Sequence, residues 1–214
     1  MTTVITGASR GIGAALAAQY SAAGEEVIGT SRSAGTDATL DVTDPQSHSN
    51  FAATLKGRPL DLLICNAGVY LDRGDDLQTG FGADLWAQSF ATNVTGVFLT
   101  VQSLLDNLRA AQAPKIAIIA SQMGSSTNAP GGSYIYRASK AAAINLGRNL
   151  AVDLKSDGIA VGIYHPGWVR TDMGGASGDI TAEDSARGLV NRIAALDLAH
   201  SGAFETWDGR AHPF

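Results

Sequence analysis

Thr6-Gly7-Ala8-Ser9-Arg10-Gly11-Ile12-Gly13 joins a short apolar run, Val4-Ile5, to a segment of helical period from Ile12 to Ala23. A glycine-rich turn between a strand and a helix lets the backbone come close to a ligand, and the helix N-terminus behind it offers free N–H groups and a partial positive charge. In a doubly wound sheet, the first such turn is where a pyrophosphate can sit. The spacing is G-x-x-x-G-x-G, not the common G-x-G-x-x-G dinucleotide fingerprint. It also fails as a Walker A loop, which needs a glycine five residues after Gly7 and then a lysine, where this chain has Ile12-Gly13. Nucleoside triphosphate hydrolysis is therefore disfavoured. Taken alone, three glycines also suit a plain tight turn, so the rest of the chain has to decide.

Outward from that turn, short β-rich runs alternate with longer helical segments. Val27-Ile28 leads into a turn, Leu60 to Cys65 precedes Leu85 to Leu108, and Lys115 to Ala120 precedes a helix through Lys140 to Leu154. Ile159 to Tyr164 and Ala182 to Leu196 complete the series. Such alternation predicts parallel strands joined by right-handed crossovers: an α/β, doubly wound, Rossmann-type sheet with helices on both faces, in one domain over 1–214. Asp44-Pro45 sets a capping side chain before a proline suited to the first helical position, and Thr181 with Asp184 marks another helix start. Gly174-Gly175-Ala176-Ser177-Gly178 reads as a short mobile loop.

The formal net charge of -5 and the absence of any run of five like charges remove the electrostatic footprint of a nucleic-acid binder. One cysteine, Cys65, allows no intramolecular disulfide and reads as a packed small hydrophobe, and His48, His165, His200 and His212 are too scattered for a metal site. No apolar stretch reaches the ~18 residues that span a bilayer, and no basic and apolar leader opens the chain. A soluble, cytoplasmic protein without nucleic-acid or membrane partners is expected.

Tyr136-Arg137-Ala138-Ser139-Lys140 sets a phenol and an amine four residues apart, on one face of a helix. A free tyrosine is a poor acid–base group at neutral pH, and a nearby ammonium favours its phenolate. Isolated Tyr-x-x-x-Lys pairs are common on solvated helices, so the pair needs partners.

Those partners carry a family resemblance. Asp41-Val42, Cys65-Asn66-Ala67-Gly68, Asn93 in Thr92-Asn93-Val94-Thr95-Gly96, Ser121 before Gln122-Met123-Gly124, and Pro166-Gly167 with Thr171 occur in order around the turn and the Tyr-Lys pair. Together they resemble the short-chain dehydrogenase/reductase family over essentially the whole chain, with an ending, Gly202-Ala203-Phe204 to Pro213-Phe214, similar to a carbonyl-reductase-like branch. The first Asn of that family's N-N-A-G motif is replaced here by Cys65. The resemblance implies Asn93, Ser121, Tyr136 and Lys140 as catalytic residues. It implies cofactor contacts from Gly7, Ser9, Arg10, Gly11, Ile12, Gly13, Asp41, Val42, Asn66, Ala67, Gly68, Tyr136, Lys140, Pro166, Gly167, Val169 and Thr171. It further implies reduction of an aldehyde or ketone, with Tyr136 giving the proton, Ser121 binding the carbonyl oxygen, Lys140 lowering the pKa of Tyr136, and Asn93 holding a water through a distorted helix.

After the second strand, where an NAD enzyme places an acid on the ribose 2′-OH, the chain reads Thr30-Ser31-Arg32. Arg32 and Arg10 could clamp a 2′-phosphate, which favours NADPH/NADP+, although most arginines are solvated surface charges. An NAD-dependent alcohol dehydrogenase working oxidatively and a non-catalytic NADP(H)-binding sensor or scaffold are the alternatives. Tyr70, Gln122, Met123, Trp168 and Met173 are candidate walls of a modest substrate pocket, Tyr134 is a wall or packing residue, and about 171–181 forms a short substrate loop. Apolar residues beyond one narrow stripe on Leu85 to Leu108 and Ser139 to Leu154 suggest a homodimer or homotetramer.

Overall fold

The apolar runs become strands covered on both faces, as a sheet between two helical layers requires. The computed structural model describes residues 1–33, 35–78 and 80–214. Its strands are β1 (Thr2–Thr6), β2 (Glu26–Ser31), β3 (Ala38–Thr39), β4 (Leu62–Cys65), β5 (Lys115–Ile119), β6 (Ala160–His165) and β7 (Phe204–Thr206). They form a parallel sheet in the order β3-β2-β1-β4-β5-β6-β7. The helices are α1 (Gly11–Ala22), α2 (Pro45–Thr54), α3 (Ala83–Phe90), α4 (Gly96–Ser103), α5 (Leu105–Arg109), α6 (Tyr134–Asp153) and α7 (Ala182–Ala195).

Period-two alternation divides the strands between two cores. Leu63, Cys65, Ile116, Ile118 and Val161 join Phe51 of α2, Val97 and Val101 of α4 and Leu150 of α6 on one face. Leu62, Ile64, Ala117 and Ile119 join Leu16 and Tyr20 of α1 with Leu189 and Ile193 of α7 on the other. Each fully buried Leu or Ile contributes roughly 1.5–3 kcal/mol of transfer free energy, so the doubly wound arrangement follows from the apolar pattern. Cys65 belongs to the first core, where burial pushes its thiol up to about 12 and leaves it inert.

Both expected caps form. Asp44 accepts the Gln46 N–H at 2.9 Å with Pro45 opening α2, and Thr181 Oγ1 accepts the Asp184 N–H at 3.0 Å at the start of α7. The segment expected as one helix from Leu85 to Leu108 is interrupted twice. A π-helical turn spans Ala91–Thr95 between α3 and α4, and Leu104, at φ -107 and ψ 9, separates α4 from α5. β3 and β7, two and three residues long, carry too few residues for a period-two pattern and escape the sequence reading. Among the described residues no helix is long and apolar enough to cross a membrane, and no cluster of three His, Cys, Asp or Glu side chains could hold a metal ion.

β6 ends on His165, which is buried beside His212. Burial first, then the His212 and Arg210 charges, lower its pKa to about 4, against an opposing pull from Asp208. The unfolded chain therefore binds this proton more readily, so the stabilisation is complete above about pH 6.5 and is lost as pH falls toward 4. Unfolding stability should decline by roughly 2–3 kcal/mol over that window through this group, and His165→Gln should flatten the slope in urea titrations. An unchanged slope in the variant would refute the assignment.

Candidate active site

β1 and β4 are neighbours, but the chain leaves β1 through α1 on one side of the sheet and leaves β4 on the other, so a crevice opens beyond their C-terminal ends. The two strand ends are stitched together. Thr6 Oγ1 accepts the backbone N–H groups of Asn66 and Ala67, both at 3.0 Å, and the Asn66 side-chain amide donates to the carbonyls of Thr6 and Gly7, both at 3.0 Å. Gly7 has φ +68, a left-handed conformation that side chains resist. A Cβ on Gly13 would lie 2.2 Å from the Gly7 carbonyl oxygen and 2.5 Å from Asn66 Nδ2. These two glycines are thus dictated by geometry, and they leave the first turn of α1 open, since Arg10 at its N-cap makes no capping bond with its side chain.

The crevice continues into a cavity of about 420 Å³. Gly7, Ser9, Arg10, Gly11, Ile12 and Gly13 line one end, Arg32, Asp41 and Val42 the side, and Asn66, Ala67, Gly68, Tyr136, Lys140, Pro166 and Thr171 the remainder. Sequence reasoning had all of these. It missed Ser31, Leu40, Thr43, Val69, Thr92, Ile119, Ala120 and Arg170, which also line the wall, as does Asp172 of the expected substrate loop. Ile119 and Ala120 carried a signal, since they end β5 just ahead of Ser121, and a crevice sits at strand C-termini.

Gly167 and Val169, expected as cofactor contacts, are not among the residues that line the cavity. Val169 is buried and bridges to Ile180, and a Cβ on Gly167 would meet Ile180 and Trp207. They close the base of the loop instead, where Arg170 N–H donates to the Ile180 carbonyl at 2.9 Å. Of the proposed substrate-pocket residues, Met173 lines the cavity, Tyr70 stacks on Tyr136 with ring centroids 4.3 Å apart, and Trp168 Nε1 donates to the Gly174 carbonyl. Gln122 and Met123 lie outside the wall, and Tyr134 meets Phe81 edge-on at the start of α6.

At the deep end the polar groups are buried. Asn93, inside the π-helical turn, accepts the Val69 N–H at 2.8 Å and donates to the Val69 carbonyl and to Ser139 Oγ, each at 2.9 Å. Both of its amide hydrogens and its oxygen are bonded, which clamps the segment after β4 onto α6. Lys140 Nζ donates to the Ile119 carbonyl at 2.9 Å, which leaves two of its three N–H donors for other partners. Burial lowers the Lys140 pKa to about 8. Burial also pushes Tyr136 up to about 12, with Tyr70 and Asp72 adding to the rise and the Ser121 hydroxyl opposing it.

The net shift of Tyr136 is upward, because desolvation of the phenol outweighs what opposes it, and Lys140 Nζ, 5.8 Å from the ring centroid, is turned to a backbone carbonyl. At the mouth, Arg10 pairs with Asp172 at 2.8 Å and both stay about three-quarters exposed, at 77% and 76%. Arg32 is exposed beside Asp41. Partial burial works against the Asp41 charge, but Thr43, Arg32 and His48 outweigh it and hold the carboxyl below its usual range.

The model of the short chain dehydrogenase family matches residues 1–182. The C-signal of Myxococcus xanthus is 37% identical over 169 residues, covering 77% of this chain and 98% of its own. The 1-hydroxy-2-glutathionyl-2-methyl-3-butene dehydrogenase of Rhodococcus sp. is 35% identical over 225 residues, with 97% of each chain covered. Among solved structures, NADPH-bound carbonyl reductase from chicken fatty liver superposes with a TM-score of 0.90 at 29% identity, covering 100% of this chain and 98% of that one.

The glycine turn gives a direct test. Gly13→Ala should lower unfolding stability by about 1–3 kcal/mol, because the added methyl meets the Gly7 backbone and the Asn66 amide that bonds it. An unchanged urea midpoint would mean that the turn yields freely.

Proposed function

Because the chain belongs to the short chain dehydrogenase family, we propose that it is an NADPH-dependent oxidoreductase that reduces an aldehyde or ketone to an alcohol, with Tyr136 as the proton donor. The observation that carries this reading is the buried phenol in the cavity wall: with its pKa pushed up to about 12, Tyr136 holds its proton at neutral pH and can give it away.

The cavity suits an extended dinucleotide. The uncapped first turn of α1 and the glycines before it would hold the pyrophosphate, while Asp41 and Val42 flank the adenine side. Lys140, mostly charged near neutrality with two donors uncommitted, would bind ribose hydroxyls. Exposed Arg32 would meet the 2′-phosphate, joined by Arg10 once it leaves Asp172. That exchange is cheap, since an ion pair so exposed to solvent holds weakly. Pro166 and Thr171 would border the nicotinamide end, with Gly167 and Val169 shaping their loop from behind.

When bound, the reduced nicotinamide supplies the hydride. Tyr136 gives its proton to the carbonyl oxygen, and Ser121 steadies the charge that develops there. Asn93 keeps the segment after β4 seated on α6, which sets the depth at which Lys140 and Tyr136 meet a ligand. Met173 in the cavity wall, with Tyr70 stacked on Tyr136 and Trp168 bonded to the Gly174 carbonyl, would form an apolar frame suited to small or medium carbonyl compounds. Exposed Phe98 on α4 and Val152 on α6, at 41% and 74%, support a homo-oligomer within the same reading.

Tyr136→Phe should leave NADPH binding nearly intact and cut turnover by about a hundredfold or more, and near-normal turnover would sink the assignment. Arg32→Ala should raise the KM for NADPH about tenfold while leaving that for NADH within about twofold. Equal effects on both cofactors would overturn the 2′-phosphate assignment.

A further inference from the structure

The helix that carries Tyr136 does not cap itself. Ser133, the residue before α6, sits at φ +46, a left-handed conformation unusual for a residue with a side chain, and makes no capping bond to the helix. Its hydroxyl instead meets the Tyr70 hydroxyl at 2.5 Å. The first turn of α6 still needs acceptors for its N–H groups, as every helix does. They come from 63 residues away in the chain, where Asp72 Oδ2 accepts the Ile135 N–H at 2.9 Å and Oδ1 accepts the Tyr136 N–H at 3.2 Å.

Asp72 is 1% exposed and forms no ion pair among the described residues. A carboxylate taken so far from water is costly unless it is well bonded, and a helix N-terminus is one of the few places that repays it. Two residues earlier, the Tyr70 ring lies flat on the Tyr136 ring, 4.3 Å between centroids and 20° between planes. One short segment thus holds the backbone of Tyr136, its ring and the residue that opens its helix.

Resting on the reading of Tyr136 as proton donor, we propose that Asp72, with Tyr70, is a positioning residue for the reaction: it caps α6 from outside the helix and fixes where the Tyr136 phenol points. Neither residue need touch the reacting atoms. A shift of the first turn of α6 would move the phenol relative to Ser121 and the carbonyl while leaving the phosphate-binding turn on α1 untouched. The substitution effect should therefore fall on kcat and not on cofactor affinity.

The titratable and polar groups around the Tyr136 phenol are Lys140 on its own helix, Tyr70 and Asp72 from the segment after β4, and Ser121 after β5. Beyond burial, Asp72 keeps the phenol protonated, so removal of its charge makes that proton easier to lose. In the reductive direction the rate falls as Tyr136 deprotonates, and the alkaline limb of the kcat profile moves to lower pH in Asp72→Asn.

Asp72→Asn keeps one acceptor and Asp72→Ala none. In full-length protein, kcat should fall about tenfold for Asn and further for Ala, with the KM for NADPH within about twofold of the parent. Exchange of the Ile135 and Tyr136 amide protons, followed by NMR, should speed up about tenfold in Asp72→Asn. If the buried substitutions prevent folding, Tyr70→Phe keeps the ring stack, breaks only the Ser133 contact, and should lower kcat several-fold at unchanged KM for NADPH. Parental kcat with an unmoved alkaline limb in Asp72→Asn, or a loss of thermal stability and cofactor affinity without that limb shift, would overturn the proposal. Tyr136→Phe run alongside separates the two ideas: an active Tyr136→Phe removes the proton-donor reading itself, whereas an inactive Tyr136→Phe beside a normal Asp72→Asn removes only this inference.

Discussion

The join between the ends of β1 and β4 is the constraint on which the rest of the molecule depends. Two adjacent parallel strands whose chains depart to opposite faces must leave a gap, and a gap lined with backbone polar groups is costly to bury unless those groups are bonded. Thr6 and Asn66 meet that demand from the two sides, each bonding the backbone of the other's strand. With the carbonyls of Thr6 and Gly7 turned to Asn66, the glycine turn is held open and its helix N-terminus faces the crevice. Gly13 must be glycine because Asn66 and Gly7 come that close. Binding capacity at one end of the cavity is therefore a by-product of how the sheet solves a hydrogen-bonding problem.

Buried polar groups at the other end follow the same logic. Asn93, Ser139 and Lys140 are all enclosed, and each bonds a backbone or side-chain group of a neighbouring element. Such a network is stable only when complete, so it resists small displacements and gives α6 a defined depth against β5 and the segment after β4. The π-helical turn at Ala91–Thr95 belongs to this arrangement, since Asn93 lies within it and reaches both Val69 and Ser139 from there.

Much of this could be read from the sequence because it is local. Alternating apolar runs, the Asp44-Pro45 and Thr181 caps and the glycine turn are each written in a few consecutive residues, and the structure has them. Most of the expected cavity residues also face the cavity, because they sit where strands end. What escaped was non-local. Asp72 bonds residues 63 positions on, and nothing in the spacing of Tyr70 to Asp72 announces it. Gly167 and Val169 lie one layer behind the wall, a distinction that needs the packing of Ile180 and Trp207. The π-helical turn leaves the apolar pattern of Leu85 to Leu108 unbroken, so only the family resemblance, which implied a distorted helix at Asn93, pointed to it.

The pair that spacing marks most clearly, Tyr136 and Lys140, is also where burial weighs most on the electrostatics. Four residues on a helix predict an ammonium that stabilises a phenolate, which holds in water-like surroundings. In the folded chain both groups are enclosed, and the cost of charging the phenol there exceeds what a cation at 5.8 Å from the ring centroid returns. The consequence for chemistry is directional. A phenol biased toward its neutral form is suited to giving a proton, and Lys140, softened to about 8, is suited to holding a ligand with donors whose charge can follow the local pH. Burial that only raised barriers to charge would make a poor site. Here Ser121 opposes it and Asp72 adds to it, so small changes in either neighbour reach the Tyr136 proton.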